Sequence, residues 1–463
     1  MNDTTMTNIE LRATWGLGTI FALRMLGMFM VLPVLSIYGM ALEGANQSLI
    51  GLAIGIYGLV QAIFQIPLAL ISDRVGRKPL IVVGLLIFAL GSIIAALTSS
   101  IWGVILGRAI QGSGAIAAPL MALLSDLTRE QNRTKAMAFI GVSFGVTFTI
   151  AMALGPIITR LIGLSGLFLG VTALALTAVA LTVLVVPSTN SHTMNRESGV
   201  VRGSFTKVLG NPQLLKCNVG IFCLHTILML NFIALPPMMA KAGFVTSEQW
   251  KVYLVTMLTS FLTVIPAIIY AEIKRQIKRI FFSCMTLLLF TEIVWLLAGT
   301  HLWLIFTGTQ LFFLSFNIVE ALLPSLISKE SPAGYKGTSM GIYSTSQFLG
   351  VAFGGTLGGC LFQLQGQWLV FLAGASIALI CCLVSTTLRE PPHISSLRLT
   401  LPTCLLTESQ LTQHRLQAKP GVIEVLVIPE ERSVYVKVDT KKTNRDTLEK
   451  TVTSLKETLE NKN

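Results

Sequence analysis

Charged residues are scarce in this sequence, and the scarcity is uneven. Asp, Glu, Lys and Arg make up 12% of the 463 residues, whereas a soluble domain carries about 25%. Residues 1–396 consist of long apolar runs separated by short charged loops, and residues 397–463 have an ordinary soluble composition. The deficit excludes a chain that is soluble throughout and predicts a membrane part followed by a soluble tail.

Cysteines are also few and lack a metal-binding pattern. Seven are present, an odd number, and no two have the CxxC spacing of a metal site. Six of them fall in apolar runs, where we interpret them as small apolar side chains of the core. No nucleophile–base set stands out either. We therefore expect neither an enzyme nor a bound metal or cofactor.

Positive charge is in excess, with a formal net charge of +12. Residues 397–463 contain 11 Lys and Arg against 9 Asp and Glu, which is +2, so the other +10 lies in the membrane part. Because Lys and Arg accumulate in the cytoplasmic loops of membrane proteins, the positive-inside rule explains this excess better than nucleic-acid binding does.

The apolar runs are long enough to cross a membrane as helices, which need roughly 20 apolar residues each. Backbone polar groups must be satisfied within lipid, so these runs are predicted to be helices. The twelve predicted spans are 15–38, 48–71, 79–98, 101–124, 136–160, 163–187, 214–238, 250–271, 280–299, 302–328, 336–363 and 367–388.

The loops between the spans alternate in charge. One side carries nearly all the Lys and Arg of the loops, and the other side carries Arg160, Lys241 and Lys251. This asymmetry predicts that both termini are cytoplasmic. The expected location is a bacterial inner (plasma) membrane.

The chain divides into two halves and a tail. We predict a six-helix bundle over 1–187, a cytoplasmic linker over 188–213, a second bundle over 214–388, a short linker over 389–396 and a domain over 397–463. The halves repeat weakly, since residues 29–33 (FMVLP) match residues 232–236 (FIALP) and Pro119 matches Pro324. A parallel duplication of six helices is typical of one large class of secondary transporters.

The loop after the second span carries a motif. Residues 72–79 read SDRVGRKP and resemble the signature loop of the major facilitator superfamily, Gly-x-x-x-Asp-Arg-x-Gly-Arg-Arg/Lys. Ala69 stands at the opening Gly, and residues 271–275 hold a weaker copy. A topology anchor is the alternative interpretation, but an anchor needs no Asp or Gly at fixed positions. The predicted cytoplasmic gating residues are Asp73, Arg74, Gly76, Arg77, Lys78 and Asp126.

This resemblance implies the fold and a gate. The expected fold is an all-α membrane protein with the 12-helix major facilitator fold, a 6+6 pseudo-repeat. In the family, the Asp of the motif faces the N-terminus of the eleventh helix, which carries partial positive charge; here that is the turn near 336–339. The second Arg, here Arg77, pairs with an acidic residue ending the fourth helix, here Asp126. Together they imply a latch that breaks when the cytoplasmic side opens.

The fourth and fifth spans add two further resemblances. Residues 107–115 contain Arg108 and Gln111 in a pattern similar to the Arg-x-x-Gln-Gly-x-Gly element of proton-coupled members; structural hydrogen bonding is the alternative. The fifth span resembles the antiporter motif of drug–proton exporters, although Thr159 and Arg160 replace its closing Gly-Gly, and a glycine packing face is the alternative. The residues of this motif are Gly141, Gly145, Gly155 and Pro156.

Ionisable groups inside spans are the candidates for coupling transport to protons. In the superfamily, spans 1, 4, 7 and 10 line the cavity, which implies cavity positions for Arg24, Arg108 and Glu320. A carboxyl group in a partly dehydrated cavity can exchange a proton; an interhelical hydrogen bond is the alternative role for Glu320. Glu292 and His225 are interpreted as structural groups. The predicted cavity and proton-coupling residues are Arg24, Arg108, Gln111, Asn317 and Glu320.

The tail has the pattern of a small α+β domain. Alternating leucines from Leu397 to Leu401 indicate a strand, and residues 407–417 begin like a capped helix. Two strands over 422–428 and 433–439 and a helix with a leucine stripe follow. The order β-α-β-β-α is ferredoxin-like. Cys404 alone stands where metal-transport domains carry a Met-x-Cys-x-x-Cys loop, so a regulatory or docking role is favoured.

The leading hypothesis is a proton-coupled secondary transporter that exports small drug-like or amphipathic molecules by alternating access. Its expected partners are a small-molecule substrate, protons and the lipid bilayer, with no nucleic acid, and a cytoplasmic regulator or a second copy at the tail. A proton-coupled nutrient uptake carrier and a transporter-derived sensor that signals through its tail stay open as alternatives.

Overall fold

The computed structural model describes residues 6–187, 205–274, 276–390, 394–402, 405–406, 408–439, 442–443 and 445–460. Residues 188–204 of the predicted linker, Arg275, Cys404 and Thr407 lie outside the described residues. The helices of the membrane part are α1 (Asn8–Tyr38), α2 (Gln47–Val75), α3 (Arg77–Leu97), α4 (Ile101–Ser113), α5 (Ala117–Leu127), α6 (Glu130–Leu184), α7 (Phe205–Leu209), α8 (Pro212–Lys241), α9 (Gln249–Ile273), α10 (Ile277–Ala298), α11 (Leu302–Glu330), α12 (Lys336–Gln365) and α13 (Gln367–Thr386).

The described part of the chain contains 11 segments that are long and apolar enough to cross a membrane, where the sequence predicts twelve. The difference lies in α6, which is 55 residues long and therefore about 80 Å at 1.5 Å per residue, more than twice the bilayer core. Gly163 interrupts it with φ 74° and ψ 178°, a conformation that favours glycine. Thus α6 consists of the fifth and sixth predicted spans joined at Gly163.

The fourth span is broken in the middle, where the sequence predicts one continuous helix over 101–124. Helix α4 ends at Ser113 and α5 begins at Ala117. At the break the backbone of α3 comes very close, since a Cβ on Gly114 would lie 2.3 Å from the carbonyl oxygen of Gly84. The predicted span is present as one candidate membrane crossing, Ile101–Leu127, but its helix is interrupted, because this contact and the non-helical backbone of Gly114 break the hydrogen-bond ladder.

The two halves touch along α2 and α12 through their glycines. A Cβ on Gly51 would lie 2.3 Å from the carbonyl oxygen of Gly355, and one on Gly55 would lie 2.6 Å from that of Ala352. Small residues allow membrane helices to approach this closely. Since Gly51 is near the start of α2 and Asp73 is near its end, the tight contact lies at the end of the bundle remote from Asp73.

The tail forms its own domain with the predicted order of elements. Its elements are β1 (Ile394–Thr400), α14 (Ser409–Gln417), β2 (Val422–Ile428), β3 (Ser433–Asp439) and α15 (Arg445–Glu460). The strands form an antiparallel sheet in the order β1-β3-β2, with Leu399 opposite Val434 and Val425 opposite Val436. One face of the sheet packs on the helices around a buried core that includes Leu416.

Candidate transport and coupling site

Three polar side chains from three helices meet in the second half of the bundle. Glu320 lies on α11, Gln347 on α12 and His225 on α8. Gln347 Nε2 is 3.0 Å from Glu320 Oε1 and 2.9 Å from His225 Nε2. Glu320 Oε2 is 3.8 Å from His225 Nε2. The predicted proton-coupling carboxyl group is therefore one member of a cluster.

The hydrogen bonds of this cluster assign the proton on the imidazole. His225 Nδ1 lies 3.3 Å from the carbonyl oxygen of Ile221, which can only accept, so Nδ1 donates to it. His225 Nε2 then accepts from the amide of Gln347, which has a second N–H for Glu320 Oε1. The histidine is neutral in this arrangement. A proton arriving at Nε2 would displace Gln347 and place an N–H facing Glu320 Oε2.

The surroundings of the cluster are apolar. The Phe316 ring lies 5.6 Å from the His225 ring, and the side chains of His225 and Glu320 are 7% and 17% exposed. Within the described chain, Glu320 Oε2 has no hydrogen-bond partner. The side chain is largely enclosed, and its buried oxygen Oε2 is available to hold a proton.

Two members of the cluster were not expected from the sequence. The sequence favours a structural role for His225, which does bond to its own helix but also faces Glu320. Gln347 was not singled out at all, although an amide in an apolar span is a usable signal. Two other predicted coupling residues bond to different groups: Asn317, one turn before Glu320, has Nδ2 3.7 Å from Met257 Sδ, and Arg24 bonds within the first half.

Arg24, from α1, is bonded within the first half. Its Nη2 donates to Gln61 Oε1 at 3.1 Å and to the carbonyl oxygen of Gly114 at 2.9 Å. The latter carbonyl lies at the break between α4 and α5, so Arg24 satisfies an acceptor that the interrupted helix leaves free. The guanidinium carbon lies 5.4 Å from the centre of the Phe88 ring.

Arg108, from α4, is held in the same half. Nε donates to the carbonyl oxygen of Ala53 at 3.3 Å, and Nη1 donates to Gln111 Oε1 at 2.9 Å. Gln111 in turn donates to Ser92 Oγ at 2.7 Å, and the guanidinium carbon lies 4.5 Å from the centre of the Tyr57 ring. Arg108, Gln111 and Ser92 are all 0% exposed. The predicted cavity residues of the fourth span are therefore fully enclosed in this conformation.

The predicted gating residues come together in part. Arg77 Nη1 lies 2.6 Å from Asp126 Oδ2, and Arg77 Nη2 lies 3.2 Å from Asp73 Oδ1. Gly76, with φ 104°, provides the turn between α2 and α3. Among the described residues Asp73 makes its hydrogen bond and ion pair with Arg77, and it makes no hydrogen bond to the start of α12.

The remaining residues of the gating motif are exposed or link α3 to the segment that follows α6. Lys78 Nζ donates to the carbonyl oxygen of Val186 at 2.7 Å, and Arg74 is exposed.

Along α6 the antiporter-motif glycines differ in their surroundings. A Cβ on Gly155 would lie 2.4 Å from the carbonyl oxygen of Met30, whereas one on Gly141 would meet nothing within 4 Å.

The antiporter motif also includes Gly145 and Pro156, both in α6. A Cβ on Gly145 would lie 2.7 Å from the ring of Phe261 on α9, so this glycine makes room for the other half. Pro156 follows Gly155 inside the helix.

Glu292 on α10 has the local partner that the sequence favours. Asn231 Nδ2 on α8 donates to Glu292 Oε1 at 2.8 Å. The carboxyl group is 0% exposed and packs against the backbone of Gly374 on α13, where a Cβ would lie 2.5 Å from Oε2. It links three helices of the second half.

The tail domain contacts the membrane part at the connection between α11 and α12, residues 331–335. Glu424 Oε2 on β2 accepts from the amide of Ala333 at 3.0 Å, and Lys437 Nζ on β3 donates to the carbonyl oxygen of Ser331 at 3.0 Å. Tyr435 and Ile428 pack on Ala333 in a small apolar cluster. The face of the sheet opposite its helices therefore rests on this connection.

Two six-span halves with enclosed polar clusters define a polytopic secondary transporter. The chain belongs to the Major Facilitator Superfamily, whose family model matches residues 17–355, and a YajR YAM domain model matches residues 397–454. The chain is 62% identical over 455 residues to the inner membrane transport protein YajR of Escherichia coli (strain K12), covering 98% of this chain and 99% of that protein. It is a multi-pass inner-membrane transporter and not an enzyme.

More distant relatives extend the comparison. The chain is 26% identical over 389 residues to the multidrug resistance protein MdtH of Aeromonas salmonicida (strain A449), covering 81% of this chain and 96% of that protein. The crystal structure of the nucleoside transporter NupG superposes with a TM-score of 0.65 at 13% identity, covering 82% of this chain and 98% of that one. The similarity to the NupG structure shows that the two proteins share a fold.

Proposed function

We propose that the protein is a proton-coupled exporter of small drug-like or amphipathic molecules that works by alternating access, with Glu320 carrying the coupling proton. The Glu320–Gln347–His225 cluster is the observation that carries this proposal. An ionisable group within a membrane span is costly and is usually placed for function. Here the carboxyl group of Glu320 is linked to the imidazole of His225 through the side-chain amide of Gln347.

The cluster offers a site where a proton can be taken up and released. In the neutral state a proton sits on Glu320, and Gln347 holds the carboxyl and imidazole groups apart by donating to both. When the bundle opens to the side of lower proton concentration, the carboxyl group releases its proton. The substrate is then carried outward as the bundle returns to its other conformation. Because α8, α11 and α12 each contribute one residue, relative motion of these helices alters the hydrogen bonds of the cluster.

Two observations support export rather than uptake. The relatives that span most of this chain include MdtH and the multidrug resistance protein 1 of Bacillus subtilis (strain 168), which is 23% identical over 376 residues. The glycine and proline positions of α6 resemble the antiporter motif, and Gly155 packs directly on α1. A proton-coupled nutrient carrier and a sensor remain the alternatives that the transport experiment decides.

The gate follows from the proposed orientation, with both termini in the cytoplasm. Asp73, Arg77 and Asp126 then lie on the cytoplasmic side, and the glycine contact between α2 and α12 lies on the periplasmic side. The glycine contact is tight, whereas Asp73 makes its hydrogen bond to Arg77 and not to α12. This combination supports a conformation closed to the periplasm, in which the part of the latch that joins the halves is released.

The tail is proposed to regulate this gate. It holds residues 331–335, which lead straight into α12, through Glu424 and Lys437. Burial lowers the pKa of Lys437, and the facing carboxylates of Glu330 and Glu424 oppose that shift. Such a desolvated cation belongs to a docked surface rather than a free one. A partner that binds the same face of the sheet would release the connection.

Transport in everted membrane vesicles tests the proposal. Vesicles that contain the protein are energised to acidify their interior, and ethidium and other lipophilic dyes are added. We expect gradient-dependent dye uptake into the vesicles, which corresponds to export from the cell, and dye-dependent release of protons from their interior. Dye movement that ignores the gradient would contradict coupling, and substrate movement in the opposite direction would favour an uptake carrier.

A further inference from the structure

The first half of the bundle encloses two guanidinium groups without a carboxylate to balance them. Arg24 and Arg108 are 1% and 0% exposed. Between residues 11 and 125 the sequence has two acidic residues, Glu43 and Asp73. Glu43 lies in the connection between α1 and α2, and Asp73 pairs with Arg77. Among the described residues, neither carboxylate forms an ion pair with the buried arginines.

Unused donors gather around Arg24. Its Nη2 donates to Gln61 Oε1 and to a backbone carbonyl, but its Nε and Nη1 have no hydrogen-bond partner among the described residues. The same holds for Gln61 Nε2, on a side chain that is 0% exposed. Since Gln61 Oε1 already touches the guanidinium group, these nitrogens belong to one small patch. Buried N–H groups of this kind normally have an acceptor.

The second arginine adds charge to the same region. Arg108 stacks on Tyr57, which precedes Gln61 by one helical turn on α2. Arg108 Nη2 and the Tyr57 hydroxyl are likewise without a partner in the described chain. The unpartnered nitrogens of Arg24, Gln61 and Arg108 and the Tyr57 hydroxyl can all donate. Each guanidinium group carries a positive charge. An enclosed charge is normally balanced by an opposite charge.

We propose that Arg24 and Gln61 bind a small monovalent inorganic anion, of the size of chloride, between α1, α2 and the break of the fourth span. The anion accepts from Arg24 and Gln61 and balances positive charge that Arg108 increases. A water molecule could accept the same hydrogen bonds but would leave both charges unbalanced. The side chains of Arg24, Gln61 and Arg108 are at most 1% exposed, so an anion bound here would be enclosed.

The thermal unfolding of the purified full-length protein tests this site. Tm is measured by tryptophan fluorescence in sodium chloride, sodium bromide and sodium gluconate at equal ionic strength. A ligand that binds the folded state raises Tm in a concentration-dependent manner. We expect a saturable rise with chloride and with bromide and none with gluconate. Equal Tm values in halide and gluconate would overturn the proposal.

A substitution that supplies a fixed anion sharpens the test. Gln61→Glu places a carboxylate oxygen where Oε1 already lies 3.1 Å from Arg24 Nη2. We expect this variant to fold and to lose the halide dependence of Tm. The control is Arg12→Gln, on the same helix as Arg24. The Arg12 side chain bonds to the carbonyl oxygen of Leu184 at the surface, so this variant should keep the halide dependence of Tm.

Crystals of the unaltered protein grown in bromide provide an independent measurement. Anomalous scattering should locate one bromide beside Arg24 and Gln61. A halide effect on Tm that persists in Gln61→Glu, or bromide crystals without a peak at Arg24, would contradict the site even if some variants prove unstable.

Discussion

Glu320 and Glu292 are both enclosed carboxyl groups of the second half, and they differ in what faces them. Glu320 has a titratable neighbour, His225, at 3.8 Å, and an amide at 3.0 Å. Glu292 has an amide, Asn231, at 2.8 Å and packs against the glycine backbone of α13. The same amino acid therefore occupies one setting suited to proton exchange and one suited to a fixed hydrogen bond.

The substitution of glutamine at these two positions should give opposite results. Glu320→Gln keeps the shape and cannot exchange a proton, so gradient-driven transport should be abolished while slow downhill exchange of an uncharged substrate persists. Glu292→Gln keeps its bond to Asn231 and should transport normally. Everted vesicles with an imposed pH gradient measure both. Normal pumping by Glu320→Gln would exclude Glu320 as the proton carrier.

The latch is predicted to depend on Asp73. Asp73→Asn removes the charge that stabilises the closed cytoplasmic side, so the inward-open conformation should gain population. The measurement is maleimide labelling of a single cysteine introduced at Lys336, at the start of α12, with the exposed Cys360 replaced. Arg74→Gln, an exposed change in the same motif, is the control. Equal labelling of Asp73→Asn and the parent protein would count against the latch.

Two glycines of the α6 motif provide a matched pair. Gly155→Ala should lower stability by about 1–3 kcal/mol, because its methyl group would overlap the backbone of Met30 and force α1 and α6 apart. Gly141→Ala meets nothing within 4 Å and should be neutral or gain up to about 1 kcal/mol from helix propensity. Thermal unfolding and dye transport report the two effects. Equal losses in both variants would argue against a packing role.

The docking of the tail is predicted to rest on Glu424. Glu424→Gln should weaken the hydrogen bond to the amide of Ala333 and the pair with Lys207, which together contribute on the order of 2 kcal/mol to docking. Hydrogen exchange of the amides at 333–335 should accelerate while that of β1–β3 stays the same. Glu408→Gln, an exposed change in the tail, is the control. Unchanged exchange at 333–335 would mean that other contacts hold the domain.

The sequence determined the architecture because its signals are local. Apolar runs of about 20 residues must become helices in lipid, and the fold is confirmed by the family match over residues 17–355. Alternation and a leucine stripe predicted the elements of the tail in their observed order. The resemblance of the loop at 72–79 placed Arg77 opposite Asp126, and the structure shows those two side chains in contact.

Contacts between helices that are distant in the sequence could be identified only from the tertiary structure. The sequence groups Arg24 with Glu320 as cavity residues, yet helix packing directs Arg24 to Gly114 and places Gln347 and His225 beside the carboxyl group. The break at Gly114 depends on how close Gly84 of α3 approaches. Hydrophobic periodicity identifies which runs are buried, but the partner of a buried polar group is set by the rotation and separation of helices, and these emerge only when all the spans pack together.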